Sequence, residues 1–383
     1  MDFLCVPSLT YLSCAEIALA VFYNHDIYKL AFDYHLPSTL RPRFYKQTRI
    51  TLKRILDVAF DKISTLMIPS KFHMKVKSLI LNMIHELWLW KQSLLIFLDV
   101  NKLKNIRPFW TKQLTIDRAK TARILIETTN FDATVCFLLA CKYCFFDDAL
   151  NLWGNMTAEQ KTAVASIRGV QRYSPLEVWI RDSEFEASQR DVVSFSAFLE
   201  ARQIPLDEHV ICLILSTKSP ADQTKVLLTV ATNTSLYAFQ PDFKLKCLQQ
   251  LGKKWQEEIL KTQPFNVLRC LLSWPFESNF LAVADSVWNH LSPRNFCRVL
   301  DTFIFSLESY EWQNFELAEI LKKFWDESPE SFKDYAKQAR VYELLKLVLN
   351  CNSLESLDSN ILQGAYQEFA ANKIFEAFVG LPD

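Results

Sequence analysis

Glycine is nearly missing from this chain. It supplies five of 383 residues, where the usual share of about 7% would supply roughly 27. Glycine makes positive-φ turns, β-bulges and the open backbone that lets a loop approach a phosphate. Its scarcity therefore argues against β-sandwiches, barrels and Gly-rich nucleotide folds. Gly154, Gly169, Gly252, Gly364 and Gly380 are too far apart to build G-x-G-x-x-G or G-x-x-x-x-G-K-[ST]. Histidine is scarce too: His25, His35, His73, His85, His209 and His290 include no pair at metal-ligand spacing. No G-x-S-x-G elbow is present to set up a serine nucleophile. The net charge is zero, so overall basicity does not point to nucleic acid.

What is present is apolar. Half of the residues are hydrophobic and 13% aromatic, which excludes a disordered chain. Ten cysteines are scattered, most inside apolar stretches such as Val135-Cys136-Phe137 and Ile211-Cys212-Leu213. That pattern predicts buried, reduced thiols in an intracellular protein, the cytoplasm being favoured over the nucleus. The stretch Met1–Phe22 lacks the basic start of a signal peptide and is interrupted by Glu16. The most hydrophobic internal run, Leu79–Val100, is broken by His85, Glu86, Lys91 and Gln92. It reads as an amphipathic helix buried on one side, not as a membrane span.

Proline and capping residues punctuate the chain instead of glycine. Thr157-Ala-Glu-Gln160, Ser174-Pro-Leu-Glu177, Ser219-Pro-Ala-Asp222, Ser292-Pro-Arg-Asn295 and Ser328-Pro-Glu-Ser331 all read as helix starts. The first two also have the spacing of a capping box. Upstream, long basic helices are expected over Arg43–Met67 and Lys71–Leu98, split by Pro69. A connection containing Pro108 follows, then a helix opening near Thr115.

Ala149-Leu-Asn-Leu-Trp153-Gly-Asn-Met-Thr157 parallels Ala284-Asp-Ser-Val-Trp288-Asn-His-Leu-Ser292, and Leu321–Pro329 is a looser copy around Trp325. Trp255, Trp288 and Trp325 lie at intervals suited to helix pairs that bury their faces by stacking. The run Cys136-Phe-Leu-Leu-Ala-Cys-Lys-Tyr-Cys-Phe-Phe-Asp-Asp-Ala-Leu-Asn-Leu-Trp-Gly-Asn-Met156 resembles one unit of the tetratricopeptide or pentatricopeptide families. The resemblance rests on a small residue midway along the first helix and an A-x-x-L-[WF] run in the second. It covers about 21 residues and implies a helical-repeat architecture; no base-reading residues are carried over.

Charge is unevenly placed. Residues 1–40 hold one Lys or Arg against four Asp or Glu, residues 41–123 hold 18 against five, and residues 124–383 hold 24 against 34. The change of sign suggests a boundary near Thr128–Asp132. It divides the chain into a basic N-terminal helical region, 1–127, and an acidic helical-repeat-like domain, 128–383. Arg41, Arg43, Lys46, Arg49, Lys53 and Arg54 form a basic segment opposite Ile50, Ile55, Val58 and Ala59, which are expected to face the core.

Three constellations are candidates for chemistry. Cys141-x-x-Cys144, with Cys136 upstream, offers half a zinc site, and on a helix the pair shares a packed face with Phe137. Asp147-Asp148 resembles the start of the D-D-x-x-[DE] motif with which all-α class I terpene synthases hold magnesium against a diphosphate. Here the fifth position is Asn151, and the second motif finds only Asn360 to Glu368 with isoleucine in place of aspartate. Two acids at a helix start also complement its dipole. His209 is placed at a helix start and His290 at a helix end.

The sequence thus reads as an all-α protein: a basic helical region followed by a stack of antiparallel helix pairs. The expected role is a non-enzymatic scaffold that binds another protein, without cofactor or membrane span, through Arg43, Lys46, Arg49, Lys53 and Arg54. The alternatives are a metal- and diphosphate-dependent enzyme using Asp147 and Asp148, or nucleic-acid binding through residues 41–123.

Overall fold

The computed structural model describes residues 8–34, 42–95, 98–104, 106–128, 131–166, 174–182, 191–202, 207–233, 241–310, 313–351 and 364–367. Among these the chain is all-α and forms no strand; a single bridge joins Trp110 and Ile116. In chain order the helices are α1 (Leu9–Phe22), α2 (His25–Asp33), α3 (Pro42–Ser64), α4 (His73–Leu94), α5 (Val100–Leu103), α6 (Arg118–Thr128) and α7 (Ala133–Lys142). Next come α8 (Phe146–Asn155), α9 (Ala158–Ser166), α10 (Pro175–Asp182), α11 (Val192–Arg202), α12 (Glu208–Leu215), α13 (Pro220–Thr232) and α14 (Pro241–Gln250). The last are α15 (Lys253–Thr262), α16 (Pro264–Leu271), α17 (Phe280–Val287), α18 (Pro293–Ser309), α19 (Phe315–Glu327), α20 (Glu330–Ala336) and α21 (Val341–Asn350). No described helix is long and apolar enough to cross a membrane.

The helices fall into two compact units. One joins Met1–His85 to Gly252–Asp383, and the other is Glu86–Leu251. The division expected between 127 and 128 falls inside the second unit.

The first unit is organised around α18, which packs against α16, α19, α20 and α21. Phe280, Phe296, Phe303 and Phe324 are fully buried and meet edge-on or tilted at ring separations of 5.0–5.8 Å. Those geometries suit the aromatic quadrupole. Helix α4 departs from the one-sided burial expected of it. Every residue from Val76 to Ile84 is buried, because this largely apolar stretch of helix is surrounded and not laid on a surface. Lys77 is buried with it and lies 5.3 and 5.4 Å from the rings of Phe60 and Phe315.

The second unit centres on α7, which packs against α6, α8, α9 and α10. Ala140 and Ala149 are fully buried in its core, and small residues at these positions let α7 and α8 approach. This pair contains the stretch that resembles a tetratricopeptide unit. Phe146, Trp179 and Phe195 form a mutual aromatic contact at 5.4–6.2 Å.

Caps explain several of the helix starts. Thr157 and Gln160 complete the reciprocal box, with bonds of 2.8 and 3.2 Å. Ser219 and Ser292 cap α13 and α18. Two expected caps act differently. The Ser174 hydroxyl donates to the Cys141 carbonyl at 2.7 Å while Glu177 pairs with Arg181 at 3.0 Å. The Ser328 hydroxyl turns back to the Trp325 carbonyl. Trp153, Trp288 and Trp325 lie at or just beyond the last turn of α8, α17 and α19, but Trp255 sits in the first turn of α15.

The positive-φ work that glycine usually does is carried by Leu114 (φ 58°) and Cys144 (φ 52°). Cys144 is not helical, contrary to expectation. It follows α7 in the left-handed region while the Phe145 N–H donates to the Ala140 carbonyl at 2.9 Å. This 6→1 bond is a Schellman ending, with cysteine standing where glycine is usual.

Candidate functional site

Helix α3 places Lys53 and Arg54 of the basic segment at the surface. Leu52, Ile55, Leu56, Ala59 and Ile63 are buried, and Lys53 and Arg54 are exposed. Ile50 and Val58, expected in the core, are instead 54% and 36% exposed. The buried face is centred a residue or two from the predicted one, because Leu52 and Leu56 outcompete the smaller Val58 for it. Ile50, Arg54 and Val58 then follow one another at four-residue intervals along the outer face. Arg43, Lys46 and Arg49 belong to the same helix, and their side chains lie outside the described residues, as does Arg41.

Asp147 and Asp148 occupy the first turn of α8; Asp147 is exposed and Asp148 pairs with Arg123 at 3.0 Å. Asn360 and Glu368 lie outside the described residues. Cys141 is fully buried, and burial followed by the nearby Glu177 pushes its thiol well above the usual range. Among the described residues, no three His, Cys, Asp or Glu side chains converge as a metal site would require.

The second unit holds a cleft of about 200 Å³ that the sequence did not flag, lined by Glu208, His209, Cys212, Phe243, Lys246 and Cys247 among others. Asp207 caps α12 through the Val210 N–H at 2.9 Å, which fixes His209 in the first turn as expected. Burial lowers the pKa of His209; Asp207 opposes this, and the cations Lys142, Arg118 and Lys246 reinforce it. The imidazole is therefore neutral at pH 7. Its ring lies 5.0 Å from that of Tyr143, whose hydroxyl burial pushes up to about 12. Cys212 is exposed despite its apolar neighbours, since it faces the cleft. Burial raises its thiol, and burial with the Cys212 thiol nearby carries Cys247 to about 12. A reactive cysteine needs the opposite shift.

The connection after α5 is a second surface feature. Between Phe109 and Asp117 the chain folds back on itself. The Asp117 N–H donates to the Phe109 carbonyl and the Thr111 N–H to the Thr115 carbonyl, both at 2.8 Å. The Thr111 and Thr115 hydroxyls meet at 2.8 Å, and the Phe109 N–H donates to the Thr121 hydroxyl at 2.9 Å. Leu114 and Ile116 are buried and anchor the loop. The helix expected from Thr115 opens instead at Arg118, since Thr115 is committed to this turn. Arg118 pairs with Glu86 at 3.3 Å, and Glu86 also accepts the Ile116 N–H.

In comparison with known proteins, no family model, no curated protein and no solved structure matches this chain.

Proposed function

We propose that this protein is a non-enzymatic scaffold whose α3 outer face docks an acidic protein segment. The carrying observation is the exposed stripe Ile50, Arg54 and Val58 on a helix that already buries its other face. Binding surfaces combine apolar anchors with arginine inside a polar rim. Residues 42–56 carry Arg43, Lys46, Arg49, Lys53 and Arg54 without one acidic side chain, which selects a partner of negative charge. The packing of α7 on α8 and of α13 on α14 supports reading the helices as stacked pairs. The raised thiols of Cys212 and Cys247 in the cleft support a role without a cysteine nucleophile. The scattered thiols support a cytoplasmic setting.

The test compares proteins retained by the full chain with those retained by the I50E/V58E variant, followed by direct titration of the purified partner. Both positions are exposed, so the variant should keep its helical circular dichroism. An acidic partner bound about tenfold or more weakly by the variant is expected. Equal binding by both proteins would remove α3 as the docking surface.

A further inference from the structure

We infer that Arg269 and Arg298, gathered at the ring of Phe265, form a binding site for a phosphate group, independent of the α3 face. Phe265 and Arg269 lie one turn apart on α16, and Arg298 comes from α18, which packs against α16. The guanidinium carbon of Arg298 is 4.1 Å from the centre of the Phe265 ring, and that of Arg269 is 5.7 Å from it. Phe265 is itself buried, so it acts as a platform for the arginines and not as a contact for the ligand. A guanidinium resting on a ring keeps its in-plane N–H donors for an oxyanion. Arg298 is exposed and donates from one nitrogen to the Asn295 side-chain oxygen at 3.2 Å. Arg269 is half-buried, and among the described residues neither arginine pairs with a carboxylate.

Two like charges held at one ring repel, and an anion between them relieves the repulsion. Burial lowers the pKa of Arg269; the Cys270 thiol opposes this and Arg298 adds to it, while among the described residues no carboxylate acts on it. Helix α18 sharpens the imbalance. Its first turn carries no acid, although acid is what the positive end of a helix dipole favours. Arg294 stands there, with a contact of its own that keeps it out of the site. Asp301, one turn beyond Arg298, also has a contact of its own and keeps its charge. Arg269, Arg298 and Asp301 together therefore leave a net positive charge. A carboxylate offers one charge and two oxygens, which a single arginine can saturate. A phosphate monoester carries about −1.5 to −2 at pH 7 and three acceptor oxygens, so it can take donors from both guanidiniums at once. A free phosphate ion and a phosphorylated side chain share this chemistry.

NMR of the full chain, isotopically labelled in arginine, tests this through the side-chain Nε–H resonances of both residues, assigned by their loss in R269Q and R298Q. Inorganic phosphate is expected to shift both, with a Kd of about 0.1–10 mM at low ionic strength. Acetate at equal ionic strength should bind at least about fivefold more weakly. R298Q, at an exposed position, should keep its helical circular dichroism while the Arg269 resonance reports phosphate binding about tenfold or more weaker. A short phosphoserine peptide separates the two sources of the group. Affinity equal to or above that of the inorganic ion assigns the site to a phosphorylated side chain, and lower affinity assigns it to the free ion. Arg269 and Arg298 resonances unmoved at about 50 mM phosphate would overturn the site. So would acetate binding as tightly as phosphate, or wild-type affinity in R298Q.

Discussion

Lys75 donates to both carboxylate oxygens of Glu316, at 2.7 and 2.8 Å, across 241 residues of sequence. The ammonium also lies 5.7 Å from the centre of the Tyr11 ring. One lysine thereby links α4, α19 and α1, and a cation of the basic N-terminal region finds an anion of the acidic C-terminal one. Arg123 and Asp148 repeat the arrangement in the second unit at 3.0 Å. Part of the charge asymmetry is therefore spent inside each unit.

K75A should cost about 1 kcal/mol, read from the urea midpoint at constant slope, because both partners keep about a third of their exposure. A larger consequence concerns fragments. Residues 128–383 would lack α1–α4 and expose the apolar faces of the helices that pack with them. That fragment should melt without a cooperative transition and bind a hydrophobic dye. Residues 86–251 keep all of their own unit and should unfold cooperatively. Cooperative unfolding of 128–383 would contradict this division.

Stability should fall as pH rises above neutrality. Burial raises the Glu277 carboxyl from 4.5 to about 8; the nearby Glu316 adds to this and Lys75 opposes it. Between those values the folded state holds a proton that the unfolded chain releases, so the stabilisation present below pH 4.5 is lost through pH 8. Glu308, raised by burial to about 7, acts with the same sign over a narrower range. His85 acts on the other side. Burial lowers it from 6.5 to about 4, so stability present above pH 6.5 is lost as pH falls through 4. From pH 7 to 8 Glu277 supplies most of the decline, Glu308 being already half titrated at pH 7. E277Q should flatten the decline there and be more stable than wild type at pH 8 by about 1–2 kcal/mol, discounted because Glu277 keeps some solvent contact. An unchanged pH slope in E277Q would rule this account out.

The elements were legible in the sequence wherever the signal was local. Pro69 divides α3 from α4 where expected, and the Thr157, Ser219 and Ser292 caps form because hydroxyl and amide lie three residues apart. What failed depended on distant residues. The full burial of Val76–Ile84 and the pairing of Lys75 with Glu316 need helices that follow hundreds of residues later. Charge, which set the expected boundary, is a surface property and carries little information about which helices share a core. The exposed stripe on α3 was missed because Val58 fits either face by periodicity, and only competition with Leu52 and Leu56 decides. The 107–120 turn rests on threonine bonds and on a leucine at positive φ, for which no sequence rule applies.

Asp207 should control both the start of α12 and the titration of His209. Its carboxylate caps the helix at the Val210 N–H and favours the charged imidazole, against burial and three cations. D207A therefore removes the cap, at a cost of about 1 kcal/mol. D207N retains a capping oxygen but loses the charge, so it should stay near wild-type stability while the His209 pKa falls further. The imidazole C–H shifts in an NMR pH titration separate the two effects. A His209 pKa that rises in D207N would show that the carboxylate acts in the opposite sense.

Cys144 tests whether the chain tolerates its lack of glycine through backbone strain. A non-glycine residue in the left-handed region costs about 1–2 kcal/mol, yet the Cys144 side chain is buried in the core of the second unit. C144G relieves the strain and forfeits the burial of one CH2 and a sulfur, about 1 kcal/mol. The two nearly cancel, so its stability should lie within about 1 kcal/mol of wild type. C144V keeps the hydrophobicity but forces a β-branched residue to positive φ, and should cost about 2 kcal/mol or more. Ranking by hydrophobicity alone gives the reverse order, with valine best and glycine worst. Urea midpoints that put C144V above C144G would show that packing, not backbone conformation, governs this turn.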